Sequence, residues 1–466
     1  GTPRINIFLN KYNKELKNSD NFNQIDLLYT NYDKSFLSSL PPIDEKILAE
    51  MQPYSYLYFK NCSRRNQNNS FITYEEIVSS YYDHLKFWNW KIDNAKISHL
   101  FAYSIPHEGA DIIIYSLCKI KGIKTFMTYR LPIIPNTISK RYFIKDIFKH
   151  NYDKFHRNHN YFEDKNISLE NLEESFKNLF IYFNDEKSNN KKSIEKKRPY
   201  RIAKYKNFSL KENLKILMLS FKEDGLLKTI NKIKRKNSII QKLKYRNPFL
   251  ISEKIINKYY KANTIKNIPN KSFIFFPLHF QPELSSDILG RFYNDQNLVL
   301  DMLAWIGQKY DINIIVKKHP RKDERLFLRP RNFYEKMNIH KNVYFVDNNF
   351  STTELIEESI ATASITGSSC WESFLKGKPS ILFGSVIFEN APGTFKISSK
   401  KDLEKALKDI IKGNARFKKS DILNFLKYLE KNTFNCSHKK LIGAAPFSLE
   451  ESNINFVKHL ENFLLN

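Results

Sequence analysis

The chain has 466 residues, of which 41% are hydrophobic, and it carries a formal net charge of +27. This length predicts two or three domains, and the apolar content, with 37 Phe and 26 Tyr, excludes an intrinsically disordered polymer. The sequence has 12 Gly and 4 Cys, contains neither a Walker nor a dinucleotide-binding glycine motif, and has no CxxC pair that would indicate a zinc site or a disulfide framework.

The first predicted unit is a strand, a turn, a helix and a second strand. The apolar segment ISHLFAYS (97–104) runs into the polar turn IPHEG (105–109), and the helical pattern of ADIIIYSLCKIK (110–121) follows. Gly122 is expected to end this helix before the strand GIKTFMTY (122–129). A strand–helix–strand unit of this kind predicts a parallel sheet.

The middle of the chain, from about 150 to 265, is rich in lysine and poor in strand patterns, and we interpret it as a helical linker or insertion. Residues 187–246 contain 20 Lys or Arg against 4 Asp or Glu, a net charge of +16. Near 226–246, apolar residues recur at helical spacing among lysines, which suits an anionic membrane surface. A lysine-rich surface from an AT-biased genome is the alternative. Nucleic acid is disfavoured, because no stacking-aromatic or helix-turn-helix pattern accompanies the charge.

The C-terminal half repeats strands and helices. Its strand-like runs are FIFFP (273–277), INIIVKKHP (312–320), NVYFVD (342–347), ATASIT (361–366) and GKPSILFG (377–384). Polar residues follow the apolar part of several of these strands, as they do in the IPHEG turn. Since ligands bind beyond the carboxyl ends of strands in open parallel sheets, these residues predict a binding cleft between two α/β domains.

Two motifs follow neighbouring predicted strands. HFQPE contributes His279, Gln281 and Glu283, whose amide and carboxylate suit sugar hydroxyls or a nucleobase edge, unless they only cap the next helix. VKKHP contributes Lys318 and His319, which suit a phosphate, although a histidine before proline is often a satisfied turn residue.

A third motif, TGSSCWES, places hydroxyls and a glycine at the start of a predicted helix, with Thr366, Gly367, Ser368 and Ser369. The N–H groups and dipole of a helix start attract anions. The alternative is that Ser368 or Ser369 only caps the helix. Glu372, one turn further on, is expected to reach ribose hydroxyls.

Together, HFQPE (279–283), KKHP (317–320) and TGSSCWESFLKGKPSILFG (366–384) resemble the bacterial capsule-polysaccharide synthesis family. That family contains retaining β-Kdo transferases with QPE and HP motifs, and relatives that transfer other nonulosonic acids such as pseudaminic and legionaminic acid. The resemblance covers roughly residues 270–400, with a shorter match at the PHEG turn. It implies an α/β protein of the GT-B class, in which two Rossmann-like domains face a central cleft, here with a helical basic insertion.

The resemblance also implies an activity and a donor. The enzyme would move a nonulosonic acid from its CMP-activated form to a sugar acceptor in capsule or lipopolysaccharide synthesis. His319 and the Ser368–Ser369 turn would hold the CMP phosphate, and Gln281 and Glu283 would line the donor pocket. No metal or other cofactor is required, because positive groups stabilise the departing CMP.

Retention of configuration, which the resemblance implies, needs carboxylates of the N-terminal domain near the cleft. In a double displacement one carboxylate attacks the anomeric carbon and a second group deprotonates the acceptor. Glu108 and Asp146 are the candidate catalytic residues. Asp111 is less suitable, because it is expected inside the helix that follows the turn.

The predicted organisation has four parts. They are an N-terminal Rossmann-like acceptor and catalytic domain (1–150), the lysine-rich insertion (151–265), a C-terminal Rossmann-like CMP-sugar domain (266–440) and a C-terminal helix that packs back on the N-terminal domain (441–466). With no apolar run of 18 residues and no leader peptide, we expect a cytoplasmic enzyme, peripheral on the inner face of the cell membrane, with a lipid-linked acceptor. The rivals are a CDP-glycerol-type phosphotransferase of teichoic-acid-like polymer synthesis and a non-enzymatic basic membrane- or RNA-binding scaffold.

Overall fold

Two β-sheets organise the chain in the computed structural model, which describes residues 32, 34–69, 74–102, 104–107, 109–131, 141–145, 167–184, 258–281, 283–319, 331–436 and 448–465. Within these ranges one sheet has four strands and the other has seven. The basic amphipathic stretch predicted near 226–246, Glu108 and Asp146, and the motif prolines Pro282 and Pro320 lie outside the described residues.

The first described helices are α1 (Lys34–Ser39), α2 (Glu45–Asn69), α3 (Tyr74–Asn94) and α4 (Ala110–Ile120). The two long helices α2 and α3 form a hairpin that packs on α4, the helix of the predicted strand–helix–strand unit. Met51 and Tyr58 of α2 and Leu85 of α3 are buried, and they share a core with Ile113 and Leu117 of α4. Burying a large apolar side chain stabilises a fold by about 1.5–3 kcal/mol, so apolar packing holds the hairpin in place.

A histidine lies in the middle of this hairpin. His84 is fully buried. Its Nδ1 lies 2.8 Å from the Tyr32 hydroxyl oxygen, and its Nε2 has no hydrogen-bond partner among the described residues. Because burial disfavours the charged ring, it lowers the pKa of His84 to about 4.

His84 makes the stability of the protein depend on pH. Below its ordinary pKa of about 6.5 the unfolded chain binds a proton that the folded chain excludes, so the free energy of unfolding falls as the pH drops toward the folded pKa of about 4. Between about pH 7 and about pH 4.5 the wild type is expected to lose about 2–3 kcal/mol more than a His84→Gln variant. Urea denaturation at both pH values measures the difference, with His99→Gln, at an exposed site, as the control. Equal losses in all three proteins would contradict a buried neutral ring.

The first sheet begins with the predicted unit. β1 (His99–Ala102) pairs in parallel with β2 (Lys124–Arg130), and α4 connects them. Gly122 follows α4 with φ +70, a left-handed conformation that strains other residues. The next strand, β3 (Arg141–Lys145), runs antiparallel to β2. The expectation of a parallel sheet is therefore correct for β1 and β2 and wrong for β3.

The second sheet is wholly parallel. Its strands are β4 (Thr264–Ile265), β5 (Phe273–Pro277), β6 (Asn313–Lys317), β7 (Val343–Val346), β8 (Ala361–Ser364), β9 (Ser380–Leu382) and β10 (Thr394–Lys396). Every described pairing among them is parallel, in the spatial order β10-β9-β8-β5-β6-β7-β4. The central strands are buried, which explains their continuous apolar sequences. The predicted α/β class with a parallel sheet is confirmed.

Helices pack on this sheet. They are α5 (Glu174–Asn184), α6 (Gln296–Lys309), α7 (Arg331–Asn338), α8 (Thr352–Glu358), α9 (Ser368–Leu375), α10 (Lys400–Ile411) and α11 (Lys419–Lys431). The Asp295 side chain accepts a hydrogen bond from the Asn297 amide N–H at 2.9 Å and caps the start of α6. None of the helices in the described ranges is both long and apolar enough to cross a bilayer.

One of these helices comes from the lysine-rich section. Phe176 and Leu179 of α5 are fully buried in a cluster with Trp371 and Phe374 of α9. The first strand of the second sheet, β4, also lies before residue 266. Part of the section that the sequence presents as an insertion therefore contributes to the second core.

The chain returns to the first sheet near its C-terminal end. β11 (Phe434–Asn435) pairs antiparallel with β3, and α12 (Leu449–Leu465) follows. The ring of Phe456 on α12 has its centroid 5.7 Å from that of Phe101 in β1 and 6.2 Å from that of Phe434. The returning segment thus joins the first sheet from residue 434 onward.

Candidate functional site

The carboxyl edge of the second sheet is where the sequence motifs meet. From β5 the chain moves outward through β6 and β7, then crosses to the other side of β5 as β8 and continues to β9 and β10. The direction of winding therefore reverses between β5 and β8, and a crevice opens at such a reversal in open α/β sheets. HFQPE follows β5 and TGSSCWES follows β8, so these two motifs flank the crevice.

His279 connects the end of β5 to the end of β8 by hydrogen bonds. It is buried, with Nε2 lying 2.8 Å from Ser364 Oγ, and the Thr366 amide N–H donates to the same nitrogen at 3.3 Å. Because Nε2 accepts this bond, the neutral ring carries its proton on Nδ1. The Gly367 amide N–H donates to the Ser364 hydroxyl at 2.9 Å. His279 therefore shapes the crevice through Ser364.

α9 begins at the crevice. Gly367 is its N-cap residue and has no side chain that could accept a hydrogen bond from the helix. The alternative that Ser368 or Ser369 caps the helix is wrong, because both lie inside its first turn. Ser369 Oγ is buried and has no hydrogen-bond partner among the described residues. A helix start with N–H groups that lack intrahelical partners, next to a buried hydroxyl, is an arrangement that binds anions such as phosphate.

Only a hydrogen atom fits on the Cα of Gly367. A Cβ built there would lie 2.5 Å from Ser364 Oγ, 3.2 Å from Ser369 Oγ and 3.4 Å from His279 Cε1. The backbone angles, φ −69 and ψ 148, are accessible to any residue. Space, not conformation, therefore requires glycine at this position.

Glu372 lies one turn into α9. Its side chain is buried, and the hydroxyl of the exposed Ser368 donates to Oε1 at 3.4 Å. A carboxylate accepts hydrogen bonds only, so this position suits a ligand that presents hydroxyl groups beside the anion.

The VKKHP motif follows β6. Lys317 Nζ donates to a carbonyl and a hydroxyl at the start of α8, at 2.6 and 2.9 Å. Lys318 is buried, with Nζ 5.9 Å from the ring centre of Tyr260. The ring of His319 lies 5.7 Å from that of Phe280, which belongs to HFQPE. His319 is therefore the residue of VKKHP whose side chain contacts HFQPE.

Gln281 is engaged by its own loop. Its Nε2 donates to Asp287 Oδ1 at 2.9 Å and to the Asn294 carbonyl at 2.5 Å. Its Oε1 accepts from Gln296 Nε2 at 2.8 Å. If the Gln281 amide N–H groups were to contact a nucleotide-sugar donor, they would have to give up one of these bonds. In the structure the side chain instead fixes the shape of the loop.

Glu283 precedes a π-helical turn, Leu284–Ile288. The Ser285 hydroxyl donates to Glu283 Oε2 at 3.2 Å, and Thr366 Oγ1 donates to the Ser285 carbonyl at 2.6 Å. Glu283 occupies the N-cap position, as the capping interpretation of HFQPE predicts. It is only half-buried, and the Thr366 bond ties its turn to the end of β8, beside the crevice.

One helix of the first half contacts both the loop after β5 and the IPHEG turn. Lys60 Nζ on α2 donates to Asn294 Oδ1 at 2.7 Å and lies 3.9 Å from the Asp287 carboxylate. The next residue, Asn61, donates through Nδ2 to the carbonyl of His107 in the IPHEG turn. α2 therefore connects the turn before α4 with the loop after β5.

Several residues of this arrangement carry no sequence motif. They are Lys60, Asn61, Asn294, Gln296 and Ser364. Ser364 has a weak signal, since it is a hydroxyl residue at the end of an apolar strand. The lysine and asparagine of α2 have none, because the sequence is rich in both residue types and the contacts are distant along the chain.

The candidate catalytic residues Glu108 and Asp146 lie outside the described residues. The residues beside Glu108 are described: His107 Nδ1 lies 2.6 Å from a carbonyl oxygen within the same turn, and Gly109 is the N-cap of α4 with φ +51. Asp111 lies in the first turn of α4, as expected.

The direction of β3 bears on Asp146. Lys145, the last residue of β3, is level with Met127 of β2, and so is Ala102, the last residue of β1. The chain leaves β3 toward the amino ends of β1 and β2, whereas the IPHEG turn follows the carboxyl end of β1. The strand that precedes Asp146 in sequence therefore runs opposite to the strand that precedes Glu108.

Burial changes the protonation of a lysine at the carboxyl edge of the second sheet. Lys396 ends β10, and its Nζ donates to the Phe383 carbonyl at 2.9 Å. Burial lowers the pKa of Lys396 to about 8, and of its charged neighbours Glu389 raises this pKa while Arg291 lowers it. This edge therefore loses positive charge as the pH rises above about 8.

No protein-family model matches the sequence, and no curated protein is significantly similar to it. Among solved structures, the chain is similar to a β-Kdo 2,7 transferase, KpsC of Thermosulfurimonas dismutans, with 15% identity, coverage of 48% of this chain and 66% of that chain, and a TM-score of 0.26. A UDP-GlcNAc 2-epimerase of Methanocaldococcus jannaschii, in complex with UDP-GlcNAc and UDP, has 19% identity, coverage of 39% and 51%, and a TM-score of 0.25. A glycosyltransferase of Rickettsia africae has 12% identity, coverage of 84% and 83%, and a TM-score of 0.27. These distant similarities assign neither a family nor an activity to the chain.

Proposed function

We propose that the protein is a GT-B glycosyltransferase that moves a nonulosonic acid (Kdo, pseudaminic or legionaminic acid) from a CMP-activated donor to a sugar acceptor in capsule or lipopolysaccharide synthesis. The observation that carries the proposal is the start of α9, where the buried Ser369 hydroxyl and the helix N–H groups meet at the crevice between β5 and β8. The oxygens of a nucleotide phosphate can accept hydrogen bonds from both the hydroxyl and the N–H groups. The QPE and HP motifs support the donor class.

In the proposed complex the phosphate lies against Gly367 and Ser369, and His319 approaches it from the β6 side. Glu372 accepts hydrogen bonds from the ribose hydroxyls, and Glu283 lies beside the sugar. The acceptor is proposed to be lipid-linked, with the basic stretch near 226–246 holding a cytoplasmic enzyme at the inner face of the membrane.

Retention follows if the transfer occurs in two displacements. A carboxylate of the first half, Glu108 or Asp146, attacks the anomeric carbon, and the bond to the CMP phosphate oxygen breaks with its electron pair left on CMP. The acceptor hydroxyl then attacks the same carbon as it loses its proton to the second carboxylate, and the first carboxylate leaves. The positive N-terminus of α9 stabilises the charge that develops on the departing phosphate.

A Ser369→Ala variant tests the phosphate site. Removing a hydroxyl that bonds a charged phosphate is expected to weaken CMP binding by about 1.5 kcal/mol, roughly tenfold. Isothermal titration calorimetry with CMP measures the change. Ser373→Ala is the matched control, because Ser373 is a buried serine of the same helix whose hydroxyl contacts the Lys378 and Pro379 carbonyls. Equal CMP affinities in the wild type and Ser369→Ala would show that Ser369 does not bind the phosphate.

A donor panel tests the reaction. The protein is incubated with CMP-activated nonulosonic acids, CDP-glycerol and UDP-GlcNAc together with short acceptor glycans, and the products are identified by mass spectrometry. Transfer from a CMP-activated acid supports the proposal. Transfer from CDP-glycerol instead would favour the phosphotransferase. No transfer from any donor, together with no binding of CMP in calorimetry, would favour a scaffold.

A further inference from the structure

A chain of hydrogen bonds leads from the first half of the protein toward the crevice. On α2, Lys60 Nζ donates to Asn294 Oδ1 at 2.7 Å and the Tyr56 hydroxyl donates to the same oxygen at 3.2 Å. The Asn294 carbonyl accepts from Gln281 Nε2 at 2.5 Å, and Gln281 Oε1 accepts from Gln296 Nε2 at 2.8 Å. Asn294 is 1% exposed, whereas Tyr56 is 53% exposed, so at this junction α2 meets a buried residue of the loop after β5 from a partly exposed side.

The chain of bonds continues to the start of α9. Gln296 Oε1 accepts from the His279 amide N–H at 2.8 Å, and His279 Nε2 lies 2.8 Å from Ser364 Oγ. The same hydroxyl accepts from the Gly367 amide N–H at 2.9 Å. The route from Lys60 to Gly367 therefore consists of consecutive bonds of 2.9 Å or less.

Lys60 also places a positive charge beside a buried carboxylate. Asp287 is 3% exposed, and its Oδ1 lies 3.9 Å from Lys60 Nζ and accepts from Gln281 Nε2 at 2.9 Å. A buried carboxylate is costly without a positive partner. Withdrawal of Lys60 therefore disturbs Asp287 and Asn294 together, and both of them hold Gln281.

Apolar packing at the same junction keeps α2 close to the loop. Leu57 of α2 packs in a cluster with Leu284, Ile288 and Leu289, which belong to the π-helical turn and the residue after it. The polar contacts of Lys60 are thus made within a packed surface, where side-chain positions are well defined.

We infer that Lys60 is a positioning residue of the donor site, which has its binding shape only while α2 is docked on the loop after β5. The inference rests on the proposed function, because it takes the crevice at α9 as the donor site. Lys60 acts through Asn294, Gln281 and Gln296 on His279, and so on the start of α9. By thermodynamic linkage, a donor that binds this shape also stabilises the docked position of α2.

A Lys60→Met variant of the full chain tests the inference, because it removes the charge and its bonds but keeps most of the length of the unbranched side chain. Amide hydrogen exchange is expected to become about tenfold faster in residues 278–296 and at the start of α9. CMP affinity and the KM for the donor are expected to worsen about three- to tenfold with kcat little changed. Lys60→Arg keeps the charge, so its exchange rates and its CMP affinity should be close to those of the wild type. Lys46→Met changes an exposed lysine of the same helix and should match the wild type.

The possible outcomes are distinct. Wild-type exchange and CMP affinity in Lys60→Met would overturn the inference and leave the proposed function standing. Exchange that is faster throughout the protein, without rescue by Lys60→Arg, would also overturn it, because that pattern indicates only lost stability.

If Lys60→Met does not fold, Tyr56→Phe removes one hydroxyl from the same junction and should give the same local pattern of faster exchange, at about twofold. If the wild type binds no CMP, the proposed function fails, while the exchange data still test the coupling.

Discussion

A Gly367→Val variant is expected to bind CMP roughly a thousandfold more weakly than the wild type. A Cβ at this position would lie 2.5 Å from Ser364 Oγ, so the hydroxyl must move and release both His279 and the amide N–H of residue 367. Overpacking costs about 1–3 kcal/mol and each lost hydrogen bond about 1 kcal/mol. To bind CMP as the wild type does, the variant would have to restore the original arrangement at a cost of about 4 kcal/mol, which corresponds to about a thousandfold in affinity. Calorimetry with CMP measures the change.

The other end of the same helix offers the control. Gly377 follows α9 with φ +74, and nothing lies within 4 Å of a Cβ built there. Because Asn tolerates the left-handed conformation, Gly377→Asn is expected to keep the fold and the CMP affinity. If Gly367→Val binds CMP as well as Gly377→Asn does, the phosphate is not held at the start of α9.

A Glu108→Gln variant is expected to transfer sugar at least about a thousandfold more slowly, with CMP affinity unchanged. Glutamine keeps the volume of the side chain but can neither attack the anomeric carbon nor accept a proton, and removing a group that participates in the reaction has effects of this size. Single-turnover product formation measures the rate. Asp111→Asn, in the first turn of α4, is the control and should transfer normally.

The companion variant Asp146→Ala distinguishes the nucleophile from the base. If Asp146 is the nucleophile, this variant binds CMP normally and forms no covalent sugar adduct, which intact-protein mass spectrometry detects. If Glu108 is the nucleophile, the adduct is absent from Glu108→Gln instead. Near-normal transfer by Asp146→Ala would show that Asp146 is not a catalytic residue, and it would not affect the proposed donor site.

Local patterns in the sequence located most of the helices and strands around the site. Gly122 and Gly377 end their helices at φ +70 and +74, and the continuous apolar runs around Phe275 and Ile315 are buried parallel strands. The direction of β3 was not predictable in the same way. Strand direction depends on pairing across the sheet, and a run such as RYFIK fits a parallel or an antiparallel neighbour equally well.

The motifs predicted which residues gather at the crevice, but not what each one contacts. Residues that follow parallel strands must meet at one edge, which brings HFQPE and TGSSCWES together. The contacts between His279 and Ser364 and between Lys60 and Asn294 join residues 85 and 234 positions apart. Such pairs depend on tertiary geometry. This is why Gln281, with a side chain suited to a ligand, bonds its own loop instead.

The burial of α5 against α9 determines where the gene can be divided. A fragment that began at residue 258 would keep all seven described strands of the second sheet, yet it would expose the faces of Trp371 and Phe374 that Phe176 and Leu179 cover. Each large apolar side chain returned to water costs about 1.5–3 kcal/mol, and the loss would fall on the helix whose first turn is proposed to hold the nucleotide. A portable nucleotide-binding fragment, or a chimaera that exchanges this half with a relative, therefore has to include α5.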